Sequence, residues 1–392
     1  MRAKEFEKID AGAFRQVMTP QLNSLGKTFK SNGYTIRVVG GAVRDLALKK
    51  VPKDVDLATD ATPDQMIKLF KDNNIRYKPT GLQHGTITAI IDRVPYEITT
   101  LRADTDTDGR HAKVDFVKDW KEDAKRRDLT YNAMSVDFSG KLFDYYGGMD
   151  NLQDRVSKFV GDPSERIKED YLRILRYFRF QSRLEDPNWD KDTLNAIKDN
   201  VGGLARITPE RIWSEVKKLL VGRNAEESLK WMGKTGVANS IGLPVDNAGQ
   251  IARLERSKNP IVPLAVLVSN NNLAGSWKMS NQESALLNFL VTHKDKPLDR
   301  DGAIDLLHAG NSKQAVIDLL NVQSKFNLAD TIRLYDKPEF PVAGKDLIAQ
   351  GMKPGIEIGK LLDKLKLKWK QSGYKLSKDD LLKQIGKRSM QK

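Results

Sequence analysis

The hydrophobic periodicity of the chain changes near residue 150, and this change constrains the fold more than any other feature. Before it, short apolar runs separated by glycine and proline predict β-strands. These strands span residues 34–39, 54–59, 86–91 and 96–101. After residue 162, apolar residues recur at helical spacing with almost no strand signal. The sequence therefore predicts an α+β protein, with a mixed α/β head that holds a small antiparallel-type sheet, followed by an all-α region.

Local signals place turns and helices between these runs. Gly40-Gly41 ends the first strand and a short helix at 42–48 follows. Thr62-Pro63 predicts the start of another helix, because threonine caps helices and proline suits their first position. Asp92-Arg93 predicts a hairpin between the last two strands. The later predicted helices cover residues 165–183, 209–221, 225–232 and 359–371.

The length of 392 residues predicts more than one domain, since a single hydrophobic core rarely organises so long a chain. The segment Tyr145-Tyr146-Gly147-Gly148 is the natural first boundary. We predict a catalytic head at residues 1–150, a helical neck at 151–225, and a helical body and tail at 226–392.

Residue usage excludes several kinds of chemistry. The chain has no cysteine, which excludes disulfides, thiolate zinc sites and cysteine nucleophiles. It has only four histidines, which leaves little scope for histidine chemistry. Any bound metal must then use oxygen ligands, which favours Mg²⁺ or Mn²⁺. The sequence lacks an apolar run long enough to span a membrane, and its first ten residues lack a targeting composition. These features predict a cytoplasmic location.

The net charge of +14 is concentrated at the C-terminus, where residues 352–392 hold 12 Lys and Arg against 4 Asp and Glu. Basic patches attract phosphate backbones through electrostatics that are independent of sequence. This distribution predicts a polyanionic partner. A lysine-rich tail that only aids solubility is the alternative.

Gly40 and Gly41 stand where a strand gives way to a helix, so backbone N–H groups can approach an anion there. Arg44, one turn into the helix, can add a charge-assisted contact to phosphate. The pattern matches neither the dinucleotide fingerprint nor the P-loop, and a turn that simply requires glycine is the alternative.

Asp54 and Asp56 lie two residues apart, which puts both carboxylates on the same side of a strand. Two unpaired carboxylates repel each other, and a divalent cation between them removes that cost. In two-metal phosphoryl transfer, such ions activate the attacking hydroxyl and neutralise the triphosphate. Together with the glycine turn upstream, this pair predicts a metal-dependent nucleotidyl transfer site.

The ordered motifs G-G-A-V-R-D and D-V-D resemble the active site of the DNA polymerase β nucleotidyltransferase superfamily, in particular its class II CCA-adding branch. The resemblance implies that Glu97 is a third catalytic carboxylate. It also implies that the polar segment 104–110 is the flexible loop of CCA-adding and A-adding enzymes. Arg126-Arg127-Asp128 resembles the family's R-R-D motif, which implies that Arg127 and Asp128 bind the incoming nucleotide.

A second set of polar residues recurs every three positions in the predicted helix at 165–183, where Asp170, Arg173, Arg176 and Arg179 form a stripe. An amphipathic helix with an internal salt bridge is the alternative. C and A both present an amine donor beside a ring-nitrogen acceptor, whereas U and G present the reverse. Asp170 can accept from the amine and Arg173 can donate to the ring nitrogen, so the pair would select C and A.

This stripe resembles the E-D-x-x-R protein template of class II CCA-adding enzymes, which implies nucleotide contacts for Arg176 and Arg179 as well. The segment 207–213 resembles the motif that braces the template helix, and segments 340–347 and 354–359 resemble the tail that holds tRNA. The resemblance thus implies an Mg²⁺- or Mn²⁺-dependent enzyme, monomeric or homodimeric, that adds C, C and A from CTP and ATP to the tRNA 3′ end.

Three alternatives stay open. A bacterial-type poly(A) polymerase shares the head motifs, and an enzyme that adds only A or only CC differs in product alone. A non-catalytic RNA-binding protein on a decayed transferase fold would have lost at least one of Asp54, Asp56, Arg44 and Arg127, but the sequence retains all four.

Overall fold

The computed structural model describes residues 4–6, 9, 11–107, 112–254 and 257–385. The chain forms two compact units. The first comprises Met1–Pro297 with Asp318–Lys325, and the second comprises Leu298–Ile317 with Phe326–Lys392. The predicted boundaries at residues 150 and 225 fall inside the first unit, so the division into head, neck and body stays a prediction.

The head combines short strands with short helices. In chain order these are β1 Lys4–Phe6, α1 Ala11–Val17, α2 Pro20–Ser31, β2 Ile36–Val39, α3 Gly41–Ala47, β3 Leu57–Thr59, α4 Pro63–Asp72, β4 Arg76–Gly81, β5 Thr86–Ile91, β6 Val94–Thr100, β7 Arg102–Thr107, β8 Ala112–Phe116, α5 Trp120–Lys125, β9 Ser135–Val136, β10 Leu142–Asp144 and α6 Gly148–Gln153. The predicted mixed α/β head is confirmed.

Local sequence signals explain most of these boundaries. Gly40 adopts φ 68°, a left-handed conformation that suits glycine, and thereby turns the chain from β2 into α3. Thr62 and Gln65 form a capping box at the start of α4. Asp92 and Arg93 both have positive φ in the tight turn between β5 and β6, as the predicted hairpin requires.

The main sheet has the strand order β1-β10-β9-β2-β3-β6-β5-β4, and β7 and β8 form a separate hairpin. The pairs in the main sheet are antiparallel except β3 with β6, which run parallel with Leu57 opposite Ile98. The parallel pair matters for the site, because it brings the start of β3 beside the middle of β6.

One strand prediction and one loop prediction need correction. The strand predicted at residues 54–59 begins only at Leu57, so Asp54 and Asp56 precede it. The backbone of Asp56 still pairs with β2, since its carbonyl accepts from the Val39 N–H at 3.0 Å. Beyond Val39 the chain turns into α3, which leaves Asp54 without a strand to pair with. In the segment predicted as a loop at 104–110, residues 104–107 belong to β7, while residues 108–110 lie outside the described residues.

The rest of the chain is helical, as predicted. The helices are α7 Pro163–Glu169, α8 Leu172–Gln181, α9 Lys191–Asn200, α10 Pro209–Leu220, α11 Ala225–Lys234, α12 Val237–Ser240, α13 Ile261–Leu267, α14 Asn272–Ser276, α15 Asn281–His293, α16 Arg300–His308, α17 Lys313–Val322, α18 Phe326–Leu334, α19 Gly344–Ala349, α20 Ile356–Gln371 and α21 Lys378–Lys383. None of the helices described is long and apolar enough to cross a bilayer.

The single helix predicted at 165–183 is wrong, because the chain forms two helices with a break at Asp170. This residue has φ −154° and ψ 106°, which is extended backbone. Its carboxylate accepts at 3.0 Å from the N–H of Leu172, the first residue of α8. Asp170 therefore precedes the helix that carries Arg173, Arg176 and Arg179.

Each unit has its own apolar core. In the first unit the largest fully buried side chains include Tyr131, Tyr177, Phe29 and Phe70. In the second unit α19, α20 and α21 enclose a smaller core that includes Leu347, Leu365, Trp369 and Leu381.

Candidate active site

A cleft of about 1140 Å³ in the first unit gathers nearly all of the predicted site residues. Its lining includes Gly40, Gly41, Arg44, Asp54, Asp56, Arg127, Asp128, Asp170, Arg173, Arg176 and Arg179. Of the predicted residues only Glu97 lies elsewhere, in an adjoining cavity of about 410 Å³ that also contains Asp56.

The cleft is strongly basic. Among the residues that line it, eleven are Lys or Arg and five are Asp. This excess suits a polyanion such as a nucleoside triphosphate, because clustered cations raise the local concentration of anions.

One N–H group of the glycine turn is engaged within the fold. The Gly40 N–H donates to the Met134 carbonyl at 3.3 Å, so it is already engaged in the sheet. A Cβ atom on Gly40 would lie 3.1 Å from Nη1 of Arg127. The missing side chain therefore lets an arginine approach the turn.

The predicted metal-site residue Asp56 and the predicted catalytic carboxylate Glu97 come together where β3 begins beside β6. Because Leu57 is opposite Ile98 in the parallel β3 and β6 pair, Asp56 comes beside Glu97. Burial raises the pKa of Asp56, and the charge of Asp54 raises it further, although Arg127 acts in the opposite direction. This environment disfavours the ionised form of Asp56, and a bound cation would offset that free-energy cost.

Within the described residues, no group of three or more His, Asp and Glu side chains could hold a metal ion by itself. Magnesium in nucleotide-handling enzymes is commonly held by one or two carboxylates together with substrate phosphates. The carboxylates present thus fit an ion that arrives with a nucleotide.

Arg126 and Arg127 are anchored on one buried carboxylate. Asp123 accepts from Arg126 at 2.9 Å and from Arg127 at 3.1 Å. Burial opposes ionisation of Asp123, but the two arginines hold its pKa below the usual value. The Arg127 side chain is therefore fixed at the wall shared by the cleft and the smaller cavity.

Asp128 is buried, and both of its carboxylate oxygens accept hydrogen bonds within the protein. Oδ2 accepts from Nε of Arg176 at 2.5 Å, while Oδ1 accepts from the Leu129 N–H at 2.8 Å and from Asn132 at 3.1 Å. Asn132 in turn accepts from Arg44 at 2.9 Å. Asp128 thus positions Arg176 directly and Arg44 through Asn132. The nucleotide contact that the resemblance implies for Asp128 stays a prediction.

The two residues of the predicted base-reading pair each contact another side chain. Asp170 accepts from Arg211 at 2.7 Å, and Arg211 lies on α10. Arg173 forms an ion pair with Glu169 and donates to the Arg166 carbonyl at 2.8 Å. Both side chains line the cleft, so an incoming base can replace or join these partners.

Arg176 and Arg179 lie on α8 around the ring of Phe180. The guanidinium carbons of Arg44, Arg176 and Arg179 are 5.0, 5.3 and 4.7 Å from the centre of that ring. Arg179 also pairs at 2.9 Å with Glu215, a buried residue of α10. Burial raises the pKa of Glu215, but Arg179 more than offsets this and holds the pKa below its usual value.

Sequence reasoning missed several residues that hold this arrangement together. They are Glu169, Arg211, Glu215, Asn132 and Phe180. Arg211 lies in the segment predicted only to brace the template helix, and the spacing of Arg211 and Glu215 on one helix face was the signal that could have indicated paired contacts.

Comparisons with known proteins agree with this geometry. The model of the Poly A polymerase head domain matches residues 36–158, and that of the "probable RNA and SrmB- binding site of polymerase A" matches residues 188–243. The mitochondrial CCA tRNA nucleotidyltransferase 1 of Danio rerio is 40% identical over 407 residues, which cover 97% of this chain and 92% of the relative. The chain belongs to the CCA tRNA nucleotidyltransferase family.

Other relatives support the same family. The human mitochondrial CCA tRNA nucleotidyltransferase 1 is 40% identical over 404 residues, covering 97% of this chain and 93% of that protein. The CCA-adding enzyme of Staphylococcus epidermidis is 34% identical over 308 residues, covering 76% of this chain and 72% of that enzyme. The protein is thus a nucleotidyltransferase of a family that depends on divalent metal ions.

Solved structures of the family share the fold. The Bacillus stearothermophilus CCA-adding enzyme in complex with CTP superposes with a TM-score of 0.74 at 28% identity, covering 91% of this chain and 94% of that one. The Thermotoga maritima CCA-adding enzyme complexed with tRNA has a TM-score of 0.68 at 21% identity, covering 97% and 98%. At that lower identity the likeness shows the fold alone.

Proposed function

We propose that this protein completes the 3′ end of tRNA by adding C, C and A from CTP and ATP. One observation carries the proposal: a single basic cleft brings together Asp54 and Asp56, Arg127, and the pair Asp170 and Arg173. The first set suits metal-assisted nucleotidyl transfer and the last suits selection of C and A. Near full-length similarity to CCA-adding relatives supports it.

Asp54 and Asp56 would hold the divalent cation, with Mg²⁺ as the favoured ion and Mn²⁺ as the substitute, and Glu97 would act as a third catalytic carboxylate beside Asp56. When bound, the cation lowers the pKa of the attacking hydroxyl and neutralises charge on the triphosphate. The raised pKa of Asp56 supports this assignment. Arg127, fixed by Asp123, would contact the phosphates from the cleft wall.

Base selection would depend on Asp170 and Arg173. Asp170 accepts from the exocyclic amine of C or A, and Arg173 donates to the adjacent ring nitrogen. U and G would meet both groups with reversed polarity, which costs about 1–3 kcal/mol for each buried group left unpaired. Arg211 and Glu169, which contact the pair in this structure, would keep both side chains oriented between additions.

The remaining arginines would serve the triphosphate. Arg44, Arg176 and Arg179 surround one face of the cleft, and Asp128 and Glu215 fix two of them. Because these cations are already held in place, little free energy is spent on reorienting them when charge develops in the transition state.

The matching head-domain model makes a poly(A) polymerase the second candidate. The deciding assay offers a tRNA without its CCA end and all four NTPs with Mg²⁺, followed by sequencing of the 3′ ends. Addition of C, C and A followed by arrest supports the proposal, whereas long A tails on unrelated RNA refute it. A tRNA offered CTP alone, and a tRNA ending in CC offered ATP alone, separate full addition from CC-only or A-only addition.

The basic tail from residue 352 would hold the tRNA, as its charge indicates. The oligomeric state, monomer or homodimer, stays a prediction that light scattering of the purified chain decides. The cytoplasmic location also stays a prediction. The vertebrate relatives are named as mitochondrial proteins, so fractionation of expressing cells is the test.

A further inference from the structure

The smaller cavity of about 410 Å³ adjoins the active-site cleft, and its threonine and histidine side chains have no role in the proposed catalysis. Asp56, Arg102, Arg126 and Arg127 line both spaces and form their common wall. The volume falls within the range of about 300–1,000 Å³ that is typical of small-ligand sites.

The two spaces differ in charge. The smaller cavity has three acidic residues, Asp56, Glu97 and Asp123, against three arginines and one histidine. The cleft instead has eleven basic residues against five acidic ones. A triphosphate therefore favours the cleft, and the smaller cavity suits an uncharged part of a ligand that has hydroxyl groups.

Hydroxyl groups line the smaller cavity beside Glu97. Glu97 and Thr99 are two residues apart on β6 and share one face of the strand. Thr86 is opposite Thr99 in the β5 and β6 ladder, and their hydroxyl oxygens are 2.9 Å apart. Each hydroxyl offers one donor and two lone pairs, so the pair can still bond a ligand hydroxyl after bonding each other.

His84 completes this surface at the end of the 3₁₀ turn Leu82–His84. Gly85 follows with φ 77°, and a Cβ atom there would lie 2.6 Å from the Phe116 ring, so glycine is required. The His84 carbonyl accepts from Arg102 at 2.8 Å. These contacts fix the backbone that carries the imidazole.

The in-line geometry of nucleotidyl transfer limits where the RNA 3′ end can bind. In nucleotidyl transfer, the RNA 3′ oxygen bonds to the α-phosphorus as the bond from that phosphorus to the pyrophosphate oxygen breaks. The two oxygens are roughly in line, so the RNA end approaches from the side away from the pyrophosphate. With the triphosphate among the arginines of the cleft, as proposed, the adjoining cavity that shares Asp56 and contains Glu97 is a space where the RNA end could bind.

We propose that this cavity binds the 3′-terminal nucleotide of the acceptor RNA, with Thr86, Thr99 and His84 holding its ribose. The inference rests on the proposed function. Thr86, Thr99 and His84 would contact the RNA end. The cleft would recognise the phosphates and the base of the incoming nucleotide.

The test uses the Thr99→Val variant, which removes the hydroxyl and keeps the shape. Its matched control is Thr80→Val, since Thr80 and Thr88 form an equivalent hydroxyl pair at 2.9 Å outside the cavity. Both are assayed on full-length protein with a CCA-less tRNA whose terminal nucleotide has either a ribose or a 2′-deoxyribose.

We expect Thr99→Val to raise KM for the RNA about two- to tenfold, as the loss of one hydrogen bond predicts, with KM for CTP within about twofold. Wild-type enzyme should lose a similar factor on the 2′-deoxy end, and the variant should lose little more. His84→Ala should raise KM for the RNA as well.

The proposal is overturned if Thr99→Val leaves KM for the RNA unchanged or acts no differently from Thr80→Val. It is also overturned if the variant suffers the full 2′-deoxy penalty. Failure of the proposed function is separate, because wild-type protein would then add no nucleotides to either RNA.

Discussion

Replacing Asp128 by Asn tests whether this buried carboxylate positions the arginines of the cleft. Its oxygens accept from Arg176, Leu129 and Asn132. An amide has only one acceptor oxygen, so its NH₂ group must face either Nε of Arg176 or the Leu129 N–H. Donor then opposes donor, and the charge opposite Arg176 is lost.

The magnitude follows from the exposure of the two partners. A hydrogen bond to a charged group contributes about 1.5–3 kcal/mol, and breaking a fully buried ion pair costs about 3–5 kcal/mol. The side chain of Asp128 is 8% exposed and that of Arg176 is 32% exposed, so water can partly solvate the stranded guanidinium. We expect the free energy of unfolding to fall by about 2–3 kcal/mol.

The assay is urea unfolding followed by tryptophan fluorescence. Five of the six tryptophans lie in the first unit, so the signal reports mainly on the unit that contains Asp128. The matched control is Asp72→Asn, which breaks the ion pair with Lys68, where the side chains are 55% and 78% exposed. Solvent screens such an exposed pair, so it contributes little to stability. Equal losses in the two variants would refute the positioning role.

The pH dependence gives a second check on the same variant. Burial alone would raise the pKa of Asp128, but the ion pair with Arg176 and the hydrogen bonds hold it below the ordinary value of 3.8. A lowered pKa adds stability that is full above pH 3.8 and is lost as pH falls through the folded-state pKa. The difference between wild type and Asp128→Asn should therefore persist from neutral pH to about pH 4 and shrink below it.

Three further outcomes follow from the site. Asp54→Ala should abolish nucleotide addition, because the change removes a cation ligand. Binding of tRNA in a filter assay should stay within about threefold of wild type, because no basic residue is lost. Unchanged turnover would rule out the metal assignment. Arg173→Ala should raise incorporation of UTP and GTP relative to CTP by about tenfold or more, and Arg211→Ala should act in the same direction because Arg211 contacts Asp170. A thermal melt separates this result from a structural role, which would lower stability with selectivity intact. Removal of divalent cations with EDTA should stop addition, and Mg²⁺ or Mn²⁺ should restore it; activity that persists in excess chelator contradicts the role of Asp54 and Asp56.

Local chemistry decided the parts of the fold that the sequence predicted well. The turn at Gly40, the cap at Thr62 and the hairpin at Asp92 and Arg93 each depend on residues within a few positions of one another. The change to helical periodicity likewise separates head from helices without knowledge of distant contacts. For the same reason, the spacing of Asp54 and Asp56 indicated a metal site from two residues alone.

The tertiary structure decided what each charged residue of the site contacts. Periodicity continues through Asp170, but the helix breaks there, and the freed carboxylate contacts Arg211 from α10. The motif implies a nucleotide contact for Asp128, and the fold adds an ion pair with Arg176, 48 residues away. The position of Glu97 beside Asp56 depends on the register of β3 and β6. Such contacts join residues far apart in the chain, so they depend on how whole elements pack, which no local pattern contains.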